Sequence, residues 1–203
     1  MTLTNSELWT APAGTTALIF DCDGTLADTM PAHYLAWTAM LREYQIAFSE
    51  QRFYELGGMP GHKIIELLSD ESGVAVSDVA VMVVDKENRY LESVEAIQRV
   101  EPVCEIAIRY HGVLPMAVAS GGERVIVQRT LTTIGMLELF DALVGAEDTV
   151  LHKPEPDVFL EAARRIGSEP ARCVVFEDTD FGMEAALRAG MTGVDIRPWV
   201  IGR

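Results

Sequence analysis

The stretch from Ala17 to Asp28, A-L-I-F-D-C-D-G-T-L-A-D, constrains what this chain can become more than any other. Four apolar residues, Ala17 to Phe20, form a run short enough to be a strand buried on both faces. The run stops at Asp21, Asp23 follows two positions on, and Gly24 and Thr25 open a turn. Open α/β sheets place ligands just beyond the carboxyl ends of their strands, and the two carboxylates stand at such an end. Neighbouring acids repel each other, and a divalent cation is the simplest group to neutralise them. The same letters also suit an Asx-type turn leaving a strand. The later segments decide between the two readings.

About 65 residues without a convincing strand follow. Pro31 is placed to open a helix, along which Tyr34, Trp37, Thr38, Leu41 and Tyr44 fall at helical spacing. Ser49 can cap a short second helix ending at Gly57-Gly58. A third, after Pro60, carries Ile64, Ile65, Leu67 and Leu68 and stops before Gly73, and Ser77 opens a long fourth reaching about residue 98. From residue 100, strands and helices alternate: a helix from Pro102 to Tyr110, the strand M-A-V-A before Ser120, a helix closed by Gly135 and a short strand at A-L-V-G-A. A helix near Asp157, the strand C-V-V-F, a helix from about Gly182 to Ala189 and a last strand near Gly193 to Ile196 complete the pattern. This predicts an α/β fold, a Rossmann-like doubly wound parallel sheet with right-handed crossovers, interrupted by a helical insertion. Residues 1–15, with Pro12 and Gly14, read as a loosely attached lead-in.

Composition narrows the function. Lys plus Arg is 16 against 31 Asp plus Glu, a formal charge of −15. Such a surface repels nucleic acid and, at long range, small anions. A phosphate substrate must therefore be attracted locally, by a metal, a few cations and backbone N–H groups. No stretch is long and apolar enough to span a membrane, the N-terminus lacks signal-peptide features, and a cytoplasmic monomer is the default expectation. Three cysteines, Cys22, Cys104 and Cys173, without a CxxC pair, favour neither disulfides nor zinc; Cys22 and Cys173 read as packing residues.

Three predicted strand ends carry chemistry: Asp21/Asp23, Ser120 with Gly121-Gly122, and Glu177/Asp178, while Lys153 lies in a loop beside a fourth. In a parallel sheet these ends share one edge. Carboxylates from two strands suit a hard cation such as Mg²⁺. The Ser120 hydroxyl and the free N–H groups of its loop suit phosphoryl oxygens. Lys153 adds a point charge.

D-C-D-G-T-L, A-V-A-S-G-G, H-K-P-E-P-D-V-F and F-E-D-T-D-F-G-M-E-A-A-L-R-A-G-M resemble, in order, the four motifs of the haloacid dehalogenase-like hydrolase superfamily. The chain is most similar to its β-phosphoglucomutase-like group, and P-A-H-Y-L-A-W and V-V-F-E-D-T-D-F-G resemble the bacterial fructose-1-phosphate phosphatase type. The resemblance implies a core at 1–29 and 99–203 and a small helical cap at 30–98. It further implies Asp21 as nucleophile, Asp23 as general acid and base, and Ser120 and Lys153 on the phosphoryl oxygens. Mg²⁺ would be bound by Asp21, the Asp23 carbonyl and Asp178, with Glu177 acting through water. An acid at position 23 disfavours dehalogenation. From the cap, His33 and Lys86 are expected at the substrate, with Trp37, Gly58 and Gly121 as further substrate-binding positions. Helix-surface or core roles are the alternative for His33, Lys86 and Trp37. The mutases place an arginine within the stretch that here reads L-G-G-M-P-G-H-K, and Gly61 stands at that position. The resemblance thus implies a phosphatase for small phosphorylated sugars, with a sugar phosphomutase and a catalytically silent binding protein as rivals.

Overall fold

The computed structural model describes residues 9–200. Five parallel strands form one sheet in the order β3-β2-β1-β4-β5: β1 Ala17–Phe20, β2 Met116–Ala119, β3 Ala142–Val144, β4 Cys173–Glu177 and β5 Thr192–Asp195. Because every pairing is parallel, all carboxyl ends lie on one edge. Successive side chains of a strand point to opposite faces, so the sheet makes two cores. Leu18, Phe20, Val118, Val174 and Phe176 face one side, and Ala17, Ile19, Ala117, Ala119 and Val175 the other. Helices α5 (Glu101–Tyr110) and α6 (Arg124–Thr133) cover the first face, burying Val103, Ile106, Val127 and Leu131. Helices α7 (Asp157–Arg165) and α8 (Asp180–Arg188) cover the second with Phe159, Ala162, Ala185 and Ala186. The doubly wound α/β architecture read from the sequence is the one observed.

Between β1 and α5 the chain builds α1 (Met30–Glu43), α2 (Glu50–Glu55), α3 (Gly61–Ser72) and α4 (Val79–Leu91). Ser49 caps α2 by accepting from the Arg52 N–H, and Gly73 ends α3 with φ 70°. Trp37, Met40, Leu41, Phe53, Ile65 and Met82 give these helices an apolar cluster of their own. Two contacts fix the insert to the sheet. The departing and returning segments pair where Asp28 N–H donates to the Gln98 carbonyl and Val100 N–H to that of Leu26, each at 2.9 Å. Tyr90 of α4 is fully buried in the first sheet core, its hydroxyl 2.7 Å from Thr130 Oγ1 on α6.

Three expectations need correction. Helix α4 is capped by Asp78, which accepts from the Val81 N–H, and not by Ser77. It ends at Leu91 rather than near residue 98, where Ser93 Oγ donates to the Tyr90 carbonyl and a 3₁₀ turn at Val94–Ala96 carries Val94 into the sheet core. The described part of the lead-in is anchored: the Trp9 ring packs edge-on against Phe176 (4.8 Å) and Tyr110 (5.8 Å), and Ala11 N–H donates to the Tyr110 hydroxyl at 2.8 Å. Residues 1–8 lie outside the described residues. Among the described residues no helix is long and apolar enough to cross a membrane.

Phe20, fully buried and stacked on Phe176 at 4.7 Å, leads directly into Asp21. Phe20→Ala should destabilise the fold by about 3–5 kcal/mol in equilibrium urea unfolding. A loss below about 1 kcal/mol would mean that this core relaxes around the gap.

Candidate active site

Asp21 follows β1 directly, and its N–H still donates to the Phe176 carbonyl of β4 at 3.0 Å. Its position is therefore set by the sheet, not by a loop. Lys153 Nζ donates to Asp21 Oδ1 at 2.7 Å and to Glu177 Oε2 at 2.8 Å, and all three side chains are buried. Glu177 Oε1 accepts from the Thr179 N–H (3.1 Å) and hydroxyl (2.6 Å). Burial pushes the Asp21 carboxyl well above its usual range, Glu177 adds to the rise, Lys153 opposes it, and Asp178 and Asp23 raise it further. Burial also disfavours the Lys153 charge, but Asp21 and Glu177 outweigh it and hold Lys153 above the usual lysine value.

Carboxylate oxygens of Asp21, Glu177 and Asp178 lie within 4.8 Å of one another. Thr25 Oγ1 donates to Asp178 Oδ1 at 3.0 Å. Gly24, at φ 87°, lets the chain pass so close that a Cβ there would overlap the Asp178 carboxylate. Three carboxylates around one ammonium leave negative charge uncompensated in a small space, and the donors are all hard oxygens. This set fits a divalent cation such as Mg²⁺.

Asp23 occupies the other side of the cleft. Its Oδ1 accepts from Thr29 Oγ1 at 2.8 Å and lies 3.1 Å from His33 Nε2, while Oδ2 is 3.4 Å from Ser120 Oγ. Burial works to raise this carboxyl, but His33 and Thr29, with Lys86 behind them, hold it down at about 2. His33 Nδ1 is 2.9 Å from Lys86 Nζ. An ammonium group only donates, so Nδ1 accepts and Nε2–H is left to donate to Asp23. The imidazole also stacks on Tyr90 at 3.9 Å.

The residues singled out in the sequence do converge on one cleft, where Asp21, Asp23, His33, Trp37, Lys86, Ser120, Gly58, Gly121 and Glu177 all contribute to the walls. Lys153 lies beneath through its bond to Asp21, and Asp178 closes the cation side. The insert meets the sheet edge at Gly58 and Gly121, where a Cβ on Gly121 would fall 2.6 Å from the Gly58 carbonyl oxygen. Two details differ from expectation. His33 lines the cleft, yet both ring nitrogens are engaged by Asp23 and Lys86, so it supports the acid rather than presenting a free edge to a ligand. Of the N–H groups in this loop, that of Ser120 donates to Val144, that of Gly122 to Ser120 Oγ and that of Arg124 to Glu147, which leaves those of Gly121 and Glu123 for a ligand. Trp37 belongs to the insert core, with Lys86 Nζ 5.3 Å from its ring centroid. Lys86 itself is buried, although its charged sequence neighbours suggested solvent.

Sequence reasoning missed Thr25, Thr29, Tyr90 and Thr179, which hold the acids and the imidazole. The threonines stand within two residues of an acid or a helix start, a visible signal, but which carboxylate each serves depends on how the turn curls. Tyr90 lies in a charged stretch of α4, and only packing against Thr130 and His33 reveals its place.

The profile of the haloacid dehalogenase-like hydrolases matches residues 18–196. A fructose-1-phosphate phosphatase of Escherichia coli is 39% identical over 183 residues, covering 89% of this chain and 95% of that protein. A β-phosphoglucomutase of Bacillus subtilis is 25% identical over 193 residues, covering 89% and 82%. A solved hydrolase structure from Pseudomonas syringae superposes with a TM-score of 0.79 at 29% identity, covering 89% of this chain and 84% of that one. With the motif residues gathered at one sheet edge and the profile spanning nearly the whole chain, the protein belongs to the haloacid dehalogenase-like hydrolase family.

Proposed function

We propose that this chain is a Mg²⁺-dependent phosphatase of small phosphorylated sugars working through an aspartyl-phosphate. Residues 1–29 and 99–203 serve as its catalytic core and residues 30–98 as its cap. The observation that carries the reading is the contrast between two acids two residues apart: Asp21 clamped by Lys153 inside an acidic cluster, Asp23 held by Thr29 and His33. One position suits a nucleophile, the other a proton carrier.

Asp21 attacks phosphorus as the bond to the sugar oxygen breaks, and Asp23 gives that oxygen its proton. Asp23 then takes a proton from water, whose oxygen attacks phosphorus and releases Asp21 and inorganic phosphate. Held below the usual carboxylate range by His33 and Thr29, Asp23 rests ionised, the form that can take a proton. A phosphoryl dianion arriving beside it favours the protonated form needed for the first half. Ser120 Oγ and the Lys153 ammonium steady the phosphoryl oxygens. Asp21, Asp178 and the Asp23 carbonyl would hold the cation, with Glu177 reaching it through a water. Held by these residues, a divalent ion would supply charge stabilisation for the transferred group. His33, Lys86, Trp37 and Gly58 shape the substrate pocket from the cap side, and Gly121 does so from the sheet edge.

A mutase must retain a bisphosphate and grip its second phosphate. No arginine lines the cleft among the described residues, and position 61 is a glycine packed beside Trp37 and Val83. The similarity to a fructose-1-phosphate phosphatase supports the same choice.

Wild type incubated with Mg²⁺ and fructose 1-phosphate, 6-phosphogluconate or β-glucose 1-phosphate should release inorganic phosphate, and Asp21→Asn should abolish release. Conversion of β-glucose 1-phosphate to glucose 6-phosphate with little free phosphate would make the chain a mutase. Asp23→Asn should lower kcat by about 10²–10⁴-fold. Gly24→Ala, by displacing Asp178, should weaken Mg²⁺ binding by about 10–100-fold in calorimetric titration; unchanged affinity would remove Asp178 from the cation site.

A further inference from the structure

Glu87, the residue after Lys86 on α4, also lines the cleft and has no part in the chemistry above. Its Oε1 is 2.9 Å from Lys86 Nζ, whereas Oε2 is buried without a hydrogen-bond partner. A buried carboxylate oxygen left without a donor is costly, and such groups are nearly always satisfied in native structures. The cleft continues past Glu87, Gly61 and Gly121 into a second space between α4 and the loops after β2 and β3, where Glu123 and Glu147 add two more carboxylates. Glu147 is partly offset by Arg124 at 3.9 Å; Glu123 has no ion pair among the described residues. Burial raises the Glu123 carboxyl, and the charges of Glu87 and Glu147 raise it further. The basic side chains lining this space are His62 and His152, and burial together with His62 and Lys63 lowers the pKa of His152, which disfavours its charged form. The far end of the cleft therefore repels an anion.

We infer that Glu87 determines specificity: its free oxygen accepts a hydrogen bond from a substrate hydroxyl and, with Glu123, selects phosphomonoesters with a neutral polyol body over those carrying a second anionic group. A hydroxyl supplies the missing donor. A carboxylate or second phosphate has none to offer and meets like charge. The inference rests on the phosphatase reading and narrows its substrate class.

The test is a matched pair: glucitol 6-phosphate and 6-phosphogluconate share a six-carbon chain and differ at the far end, CH₂OH against carboxylate. Wild type should favour the glucitol ester in kcat/KM by about tenfold or more, and Glu87→Gln, which removes the charge and keeps the shape, should shrink that ratio about fivefold or more. A general loss through Lys86 lowers both substrates together and cancels in the ratio. Glu123→Gln, which leaves the Glu87–Lys86 pair intact, should move the ratio in the same direction by a smaller factor. A ratio unchanged in both variants, or a wild-type preference for phosphogluconate, overturns the inference while leaving the phosphatase reading standing. No phosphate release from any ester tried would overturn both.

Discussion

Three carboxylates and one ammonium ion share the carboxyl edge of β1 and β4, and their charge balance governs everything built around them. Lys153 bridges Asp21 and Glu177 out of contact with water, an arrangement in which removing one partner strands a buried charge at a cost of about 3–5 kcal/mol. Asp178 joins this group only because Gly24 leaves room for it and Thr25 supplies a donor. The local sequence D-x-D-G-T is thus a single device: acid, acid, space and hydroxyl. The excess charge that it creates is the reason a hard cation fits there.

Besides the approach of Gly58 to Gly121, a chain of contacts couples the insert to the same edge. Thr130 on α6 meets the Tyr90 hydroxyl, the Tyr90 ring stacks on His33, and His33 joins Lys86 to Asp23. Since Lys86 can only donate, it sets which imidazole nitrogen faces the acid. The placement of Asp23 is therefore shared by the sheet, through its own backbone, and by α1 and α4 of the insert. A shift of the insert would alter the surroundings of Asp23 and the packing of Gly58 on Lys153, while the bonds of Lys153 to Asp21 and Glu177 lie wholly outside the insert.

Most of the sheet and the core of the site could be read from the chain because their signals are local. Short apolar runs ending in Asp21, Ser120 and Glu177 identify strands and the polar groups at their ends together, and a parallel sheet brings those ends to one edge without further information. The end of α4 was misjudged because D-K-E-N-R continues a helical pattern that is broken by burial of Val94, a tertiary effect. Trp9 looked unattached because its partners, Tyr110 and Phe176, lie about 100 and 167 positions away. Lys86 and Glu87 sit in a charged run that looks solvated until the packing of α1 against α4 is known. Residues whose role depends on a neighbour from a distant element were the ones that composition and spacing could not assign.

The central claim is that Asp21 is the atom donor to phosphorus. The most direct measurement is rapid acid quench of the wild type during its first turnovers of fructose 1-phosphate with Mg²⁺, followed by borohydride reduction and mass-spectrometric peptide mapping. An aspartyl-phosphate at position 21 should be read as homoserine in the peptide containing Asp21, and the signal should be absent without substrate. Phosphate release with Asp21 left unmodified would contradict the account and would point to direct attack by water.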